Sequence, residues 1–365
     1  MNIEVELLSP GREAQYEELL HSVDSSLFYA SLAYRQFLRT VLAESCDRYL
    51  IALQHGRVIG ALPSFVKYSS RYGNVLNSLP FYGSNGGITV APSLAQRETV
   101  KSALTDAFIS LAAKEKLVTS TLISNPLQDD EEFYRAHTGA TLCDERVGQV
   151  TPLPTLSGDE RHIEAHLMAL FHQKTRNSIR KAQKSEMVVS HSGSAAALTT
   201  LADIHKQNMA AINGPAKAAS VFQAIRENFN YDQDYRIYLA EKDGTIIAAL
   251  LVFFFHRTVE YYTPVTLEEY RLFQPMSLLI YEAMKEAVRR DLRYWNWGGP
   301  GPVQPGIYNF KKRWGAVDRP YYYYTRVLDE SVQGYSKETV LTEYPYFYVI
   351  PFRALPSEGT QGQAE

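Results

Sequence analysis

One hairpin occurs twice in this chain, and that repetition restricts the fold more than any other feature. Residues 50–54 and 57–66 flank His55-Gly56, and residues 238–242 and 245–254 flank Asp243-Gly244. With Gly56 set against Gly244, Ala52 meets Ala240, Val58 meets Ile246, Ile59 meets Ile247, Ala61 meets Ala249, Leu62 meets Leu250 and Phe65 meets Phe253. Each copy reads as strand, two-residue turn, strand, because a glycine that tolerates positive φ separates two apolar runs. The surroundings repeat too. Helical sequence precedes each hairpin, at 32–43 in the first half and at 195–212 and 220–228 in the second. A helix follows at 93–115 and 276–290, then a strand at 118–124 and 292–297. Each half then carries a short helix ending in Gly-Ala, at Gly139-Ala140 and Gly315-Ala316, and a last strand. This order predicts an α/β protein of two tandem domains, each a mixed central sheet flanked by helices. The stretch 152–159 is rich in Pro, Ser, Thr and Gly and reads as the boundary. The expected domains are 1–152 and 153–330, with an extension over 331–365 whose end, from Pro356, reads as disordered.

A length of 365 residues suits two domains, each able to bury a core. The net charge of -3 argues against a chain-wide preference for DNA, though not against one local basic site. Cys46 and Cys143 are too few for a disulfide framework. No apolar leader is visible in residues 1–20, and the longest apolar run, 246–255, falls short of the roughly 20 residues of a membrane span. It reads instead as a buried strand. A soluble, cytoplasmic protein is expected. Tyrosine is frequent, at 25 residues, with clusters at 321–324 and 344–348. These suit sheet packing, or a stacking pocket for a sugar or base.

The order of elements resembles the GNAT acyltransferase fold, and its doubling resembles the FemAB-like branch, which carries two such domains in tandem. The residues that carry the likeness are Arg271-Leu272-Phe273-Gln274-Pro275-Met276-Ser277, Trp295-Asn296-Trp297-Gly298-Gly299 and Asn309-Phe310-Lys311-Lys312-Arg313-Trp314-Gly315-Ala316, with Leu79-Pro80-Phe81-Tyr82-Gly83-Ser84-Asn85-Gly86-Gly87 in the first half. The chain also departs from the family. Residues 270–277 contain no glycine, unlike the usual pyrophosphate loop. Lys311 stands where the family often has a tyrosine, four residues before the glycine at the helix end. No long heptad run corresponds to the helical arm of FemAB enzymes that use aminoacyl-tRNA.

The resemblance implies transfer of an acyl group to an amine. In such a fold the donor lies where two central strands part, here near 258–265 and 292–297. Glu260, which alternates with Tyr261, is a candidate proton acceptor or a solvated outward residue. Asn296 is a candidate pocket lip or a turn residue. Lys311 is a candidate charge for the oxyanion or the leaving thiolate, or surface charge. Acyl-coenzyme A is the expected cosubstrate, with no permanently bound cofactor and no metal. Its candidate contacts are Tyr261, Arg271, Gln274, Ser277, Trp297, Gly298 and Gly299, because a helix start supplies N–H groups to phosphate. For the acceptor the candidates are Arg176, Arg180 and Lys181 on an acid-free helix that reads equally as a solvated face, His205 (or a structural histidine) and Asn208 on the helix before Asn213-Gly214-Pro215, and Tyr82 and Asn85 in the first half. The expected reaction is N-acylation of a nucleotide-linked amino sugar for a bacterial surface polysaccharide. Two alternatives stand beside it: a peptidoglycan-bridge aminoacyltransferase using aminoacyl-tRNA, and a non-catalytic binding protein of the same fold. The acyl chain, the sugar and the oligomeric state are left open. His162 and His166 lack the glutamate of a zincin between them, and no Gly-x-Ser-x-Gly, P-loop or Gly-x-Gly-x-x-Gly occurs.

Overall fold

A computed structural model describes residues 3–81, 83–155, 159–299 and 305–356. Its elements in chain order begin with β1 (Glu4–Leu7), α1 (Glu13–Ser22), α2 (Leu32–Val41), β2 (Ser45–Asp47), β3 (Leu50–Gln54), β4 (Arg57–Leu62), β5 (Phe65–Lys67), β6 (Asn74–Asn77), β7 (Thr89–Val90), α3 (Arg97–Glu115), β8 (Leu117–Ile123), α4 (Glu131–His137) and β9 (Leu142–Pro152). They continue with α5 (Glu160–Leu170), α6 (Gln173–Gln183), β10 (Val188–Ser192), α7 (Ala195–Ala210), α8 (Ala219–Asn228), β11 (Tyr235–Lys242), β12 (Thr245–Phe255), β13 (Thr258–Thr266), α9 (Pro275–Arg289), β14 (Tyr294–Asn296), α10 (Pro305–Lys312), β15 (Val317–Val327) and α11 (Lys337–Glu343). Among the described residues no helix is long and apolar enough to cross a membrane.

The chain divides into two compact units, Met1–Arg146 with Pro320–Glu365, and Val147–Arg319. Composition had suggested a boundary at 152/153 and had placed 320–330 in the second half. In the structure Tyr323 to Val327 of β15 pair antiparallel with Ile123 to Thr119 of β8, and Tyr344 donates its hydroxyl to the Gly73 carbonyl at 2.9 Å. Unit membership follows ladder pairing, which the composition of a stretch does not encode.

The two hairpins match in detail. His55 and Gly56 have φ of 50° and 74°, and Asp243 and Gly244 have 51° and 77°, the left-handed pair of a two-residue hairpin turn. Each ladder also slips at the same place. Ala52 pairs with Gly60 and then Leu53 with Val58, while Ala240 pairs with Ala248 and then Glu241 with Ile246. Ile59 and Ile247 are thus the extra residues of matched β-bulges.

The second unit has the strand order β10-β11-β12-β13-β14, followed by residues 150–152 of β9. Side chains alternate along β12. Val252 and Phe254 join a core with α9, Trp295 and Trp314, whereas Phe253 packs on Phe229 at the end of α8, 4.9 Å between rings. The helices α5, α6 and α9 therefore cover one face, and α7 and α8 the other. Trp295 and Trp314 are fully buried, and burial of such rings dominates the stability of this unit.

In the first unit β1, β3, β4 and β7 form one antiparallel sheet, while β2, β5, β6, β8 and residues 323–327 of β15 form another ladder series. In the second unit the single strand β13 pairs antiparallel with β12 and parallel with β14. Its counterpart in the first unit is broken: β7 pairs with β4 and β6 pairs with β8, with residues 78–88 between them. The described residues of that segment are buried apart from Gly83, and the segment bonds to the end of β8. Ser78 Oγ accepts from Ile123 N–H at 2.7 Å, Gly86 N–H donates to Ile123 O at 3.2 Å, and Asn85 Nδ2 donates to Ser124 O at 3.2 Å. A Cβ at Gly86 would lie 1.5 Å from the Ser78 carbonyl oxygen. Gly86→Ala must therefore move backbone and should lower stability by about 3 kcal/mol, at the upper end for overpacking. Gly11→Ala, where nothing lies within 4 Å of the new methyl, should leave the denaturation midpoint nearly unchanged. Equal midpoints for the two variants in urea melts would contradict this account of the segment.

Candidate active site

In the second unit β13 and β14 run side by side for only three pairs, Thr258↔Tyr294, Val259↔Trp295 and Glu260↔Asn296. Beyond Asn296 the chain turns to β9, with Trp297 N–H donating to Gln149 O at 2.9 Å. β13 continues to Thr266 against β12 alone. The parallel ladder thus opens into a fork, and among the described residues no strand pairs with that edge of β13 from Tyr261 onward. A bulge falls at the same point: Leu251 pairs with Thr263 and Val252 with Tyr261, so Tyr262 is an extra residue. A strand edge where a ladder parts can offer its backbone to a ligand carbonyl.

The three residues with candidate chemical roles meet at this fork. Glu260 pairs opposite Phe253 and so faces α7 and α8; Tyr261 pairs opposite Val252 and faces α9. Asn296 Nδ2 donates to Glu260 Oε1 at 3.1 Å, and Asn296 Oδ1 accepts from Gly298 N–H at 3.0 Å. Gly298 has φ of 64°, a conformation that favours glycine. From α10, Lys311 Nζ donates to Trp297 O at 2.8 Å and to Gly298 O at 3.3 Å. One run of hydrogen bonds therefore joins Glu260, Asn296, Gly298 and Lys311. Glu260, Asn296 and Lys311 are all buried. Burial pushes the Lys311 ammonium down to about 8. Tyr261 packs on Trp297, 4.9 Å between ring centres, and burial raises its phenol above the ordinary value. Trp297 also donates its indole N–H to Thr151 Oγ1 at 2.9 Å, which locks the ring beneath the turn.

The two α7 residues hold the cover of the other face. Asn208 donates to Thr266 O at 2.9 Å and accepts from Thr266 N–H at 3.1 Å, taking the place of a neighbouring strand. Burial, and secondarily the charge of Lys217, push His205 down to about 4, so its ring is neutral near pH 7. Its Nε2 accepts from the Lys217 N–H at 3.1 Å. The side chain presented by this loop is Lys217, which the sequence reading missed. Its Nζ donates to Thr263 Oγ1 at 3.1 Å and lies 4.3 Å from the centre of the Tyr262 ring. Burial pushes this ammonium down to about 8, and among the described residues no carboxylate pairs with it. A signal was present: Lys217 is the only charged residue between Lys206 and Arg226.

Other candidates lie elsewhere. Arg271 is exposed beside Glu268 at 3.7 Å, and Gln274, with φ of 61°, precedes Pro275 at the start of α9, where Ser277 is buried. Gly299 is exposed at the end of the described segment. Arg176 donates to the Phe171 carbonyl at the end of α5, while Arg180 and Lys181 are exposed without an acid partner among the described residues. Because α6 packs with α9, these three are not brought together with His205 and Asn208 on the opposite face. Asn85 belongs to the buried segment of the first unit, and Tyr82 lies outside the described residues, as do residues 357–365 of the tail. Arg135, four residues before Gly139, matches Lys311 by position but is half exposed and paired with Glu131 at 2.8 Å.

A family model described as an acetyltransferase (GNAT) domain matches residues 170–312. No curated protein matches the chain. Among solved structures, that of FemX is similar with a TM-score of 0.69 at 15% identity, covering 93% of this chain and 100% of that one. A tandem GNAT protein from the clavulanic acid biosynthesis pathway is similar with a TM-score of 0.54 at 14% identity, covering 89% and 98%. L-PGS from Bacillus licheniformis has a TM-score of 0.52 at 13% identity, covering 93% and 96%. Residues 170–312 are therefore an acyltransferase domain of the GNAT superfamily, in a chain that has the tandem fold of the FemX-like proteins.

Proposed function

We propose that the fork of the second unit transfers an acyl group from acyl-coenzyme A to the amine of a nucleotide-linked amino sugar, in the cytoplasm, for a bacterial surface polysaccharide. The donor carbonyl lies along the open edge of β13 and its phosphates at the first turn of α9, near Arg271, Gln274 and Ser277. The neutral acceptor amine attacks the thioester carbon from the α7–α8 face. Glu260, on that face, takes the amine proton directly or through water. As the C–S bond breaks, the Lys311 ammonium stabilises the charge that grows on the oxyanion and the departing sulfur. The observation that carries the anionic acceptor is Lys217. Lys217 is half-buried and among the described residues no carboxylate pairs with its ammonium, so a phosphate or carboxylate of the acceptor would complete it.

A second reading, a FemAB-type transferase taking its acyl group from aminoacyl-tRNA, is favoured by the fold similarity to FemX, at a TM-score of 0.69. The same fork and the same Lys311 suit an ester donor, whose leaving alkoxide also needs a cation. Mass spectrometry of ligands retained by the purified protein separates the two: coenzyme A or a nucleotide-linked amino sugar supports the first, aminoacyl-tRNA the second.

Lys311→Met keeps the apolar stem and removes the charge. It should lower kcat about 10²-fold with little change in donor KM. In the unaltered enzyme kcat should fall as pH rises past about 8, where the ammonium is lost. Stability moves the other way. Unfolded lysine holds its proton to 10.5, so between about 8 and 10.5 the unfolded chain binds more protons and the fold gains stability with rising pH. Melts of the two proteins across that window should show the wild type gaining on Lys311→Met; a constant difference would mean that the ammonium is not desolvated. Lys217→Met should raise the acceptor KM tenfold or more while leaving the donor KM in place, since a charge-assisted contact is worth about 1.5–3 kcal/mol. Equal effects on both substrates would remove Lys217 from the acceptor site.

A further inference from the structure

We propose that Gln149 is a positioning residue for Lys311, acting by clamping α10 to the Trp297–Gly298 turn. This rests on the acyl-transfer reading of the fork. Gln149 is fully buried within β9, next to the residues that pair with β14. Its backbone brackets the turn: its C=O accepts from Trp297 N–H at 2.9 Å and its N–H donates to Gly298 O at 3.3 Å. Its side-chain Nε2 reaches the other way and donates to Tyr308 O, in the first turn of α10, at 3.3 Å. Lys311 lies on the same helix, and its ammonium rests on the same two carbonyls, Trp297 O and Gly298 O. Gly298 O thus receives both the Gln149 N–H and the Lys311 ammonium, and the carboxamide ties the helix that carries the second donor to the strand that carries the first.

The other end of the carboxamide indicates what this tie is for. Gln149 Oε1 is buried with no hydrogen-bond partner among the described residues. Flipping the amide would set this oxygen against Tyr308 O, so the unmet acceptor follows from making the tie to α10. A residue kept only for the fold would be better replaced by an apolar side chain of the same size, because an unmet buried acceptor is unfavourable. The gain lies in where α10 sits, and Lys311 is the group on α10 that bears on the fork.

The test is Gln149→Met, which removes both amide groups and keeps the length, with Gln149→Asn as a second variant that keeps an amide too short to reach Tyr308. Full-length proteins are labelled with sulfosuccinimidyl acetate at pH 8, and modification of Lys311 is followed by peptide mass spectrometry against exposed Lys116. In both variants Lys311 should react about tenfold faster than in the wild type, while the melting temperature of Gln149→Met is not lowered. With acetyl-coenzyme A and an amino-sugar nucleotide, kcat of Gln149→Met should fall about tenfold at unchanged donor KM, and the loss should vanish in a Lys311→Met background, as expected of residues acting as one unit. Unchanged labelling in the folded variants, or an equal loss in both backgrounds, would overturn the proposal. Absence of turnover in the wild type would instead count against the functional reading, and the labelling would still decide the role of Gln149.

Discussion

A buried ammonium must be given oxygen atoms, and in the second unit those atoms are the carbonyls of Trp297 and Gly298. Much of the local architecture follows from this requirement. The carbonyls converge because the chain leaves β14 through a turn with Gly298 in a left-handed conformation. The turn holds because Asn296 binds its far side and Gln149 its near side. The indole of Trp297 is fixed through Thr151, and Thr151 in turn donates to Trp314 O, just beyond α10. Water is displaced by the rings of Tyr261, Trp297, Phe310 and Trp314, which keep the local dielectric low and the charge effective.

The first unit has the same hairpin with the same bulge and lacks each of these features. Residues 78–88 occupy the place where a fork would open, and the strand-end groups that a donor would meet are bonded to that segment. The cation at the position matching Lys311 is held by a glutamate on its own helix. The two units therefore share the hairpin and its bulge and differ at the place of the fork, since bulge register is set by local twist and packing common to both.

What could be read in advance was what repeats or what is periodic. The hairpins, the Gly-Ala helix ends and the alternation along β12 and β13 all leave a pattern in the residues; Glu260 stands in that alternation, Asn296 is marked by the two tryptophans around it, and Lys311 by the family resemblance. Lys217 and Gln149 stand in no such pattern. Lys217 matters through the absence of acids in three dimensions, and Gln149 through ties to segments over 140 positions away in the chain. The basic helix α6 has a clear charge pattern, but the face of the sheet on which it packs is decided by Ile179 and its partners in the core, not by its exposed residues. The division of the chain was hidden for a related reason, because pairing of residues 323–327 with β8 is a long-range choice between two similar ladders.

That last feature governs how the molecule comes into being. The second unit is one continuous stretch, Val147–Arg319, and all of its strands exist once that stretch has been synthesised. The first unit is discontinuous: its ladder at β8 and the anchor of Tyr344 on Gly73 use residues beyond Pro320. On the ribosome the usual order is reversed: the later unit can close first, and the earlier one waits with the edge of β8 exposed. The interval during which the edge of β8 needs protection from its neighbours is therefore set by the time taken to synthesise residues 124–327.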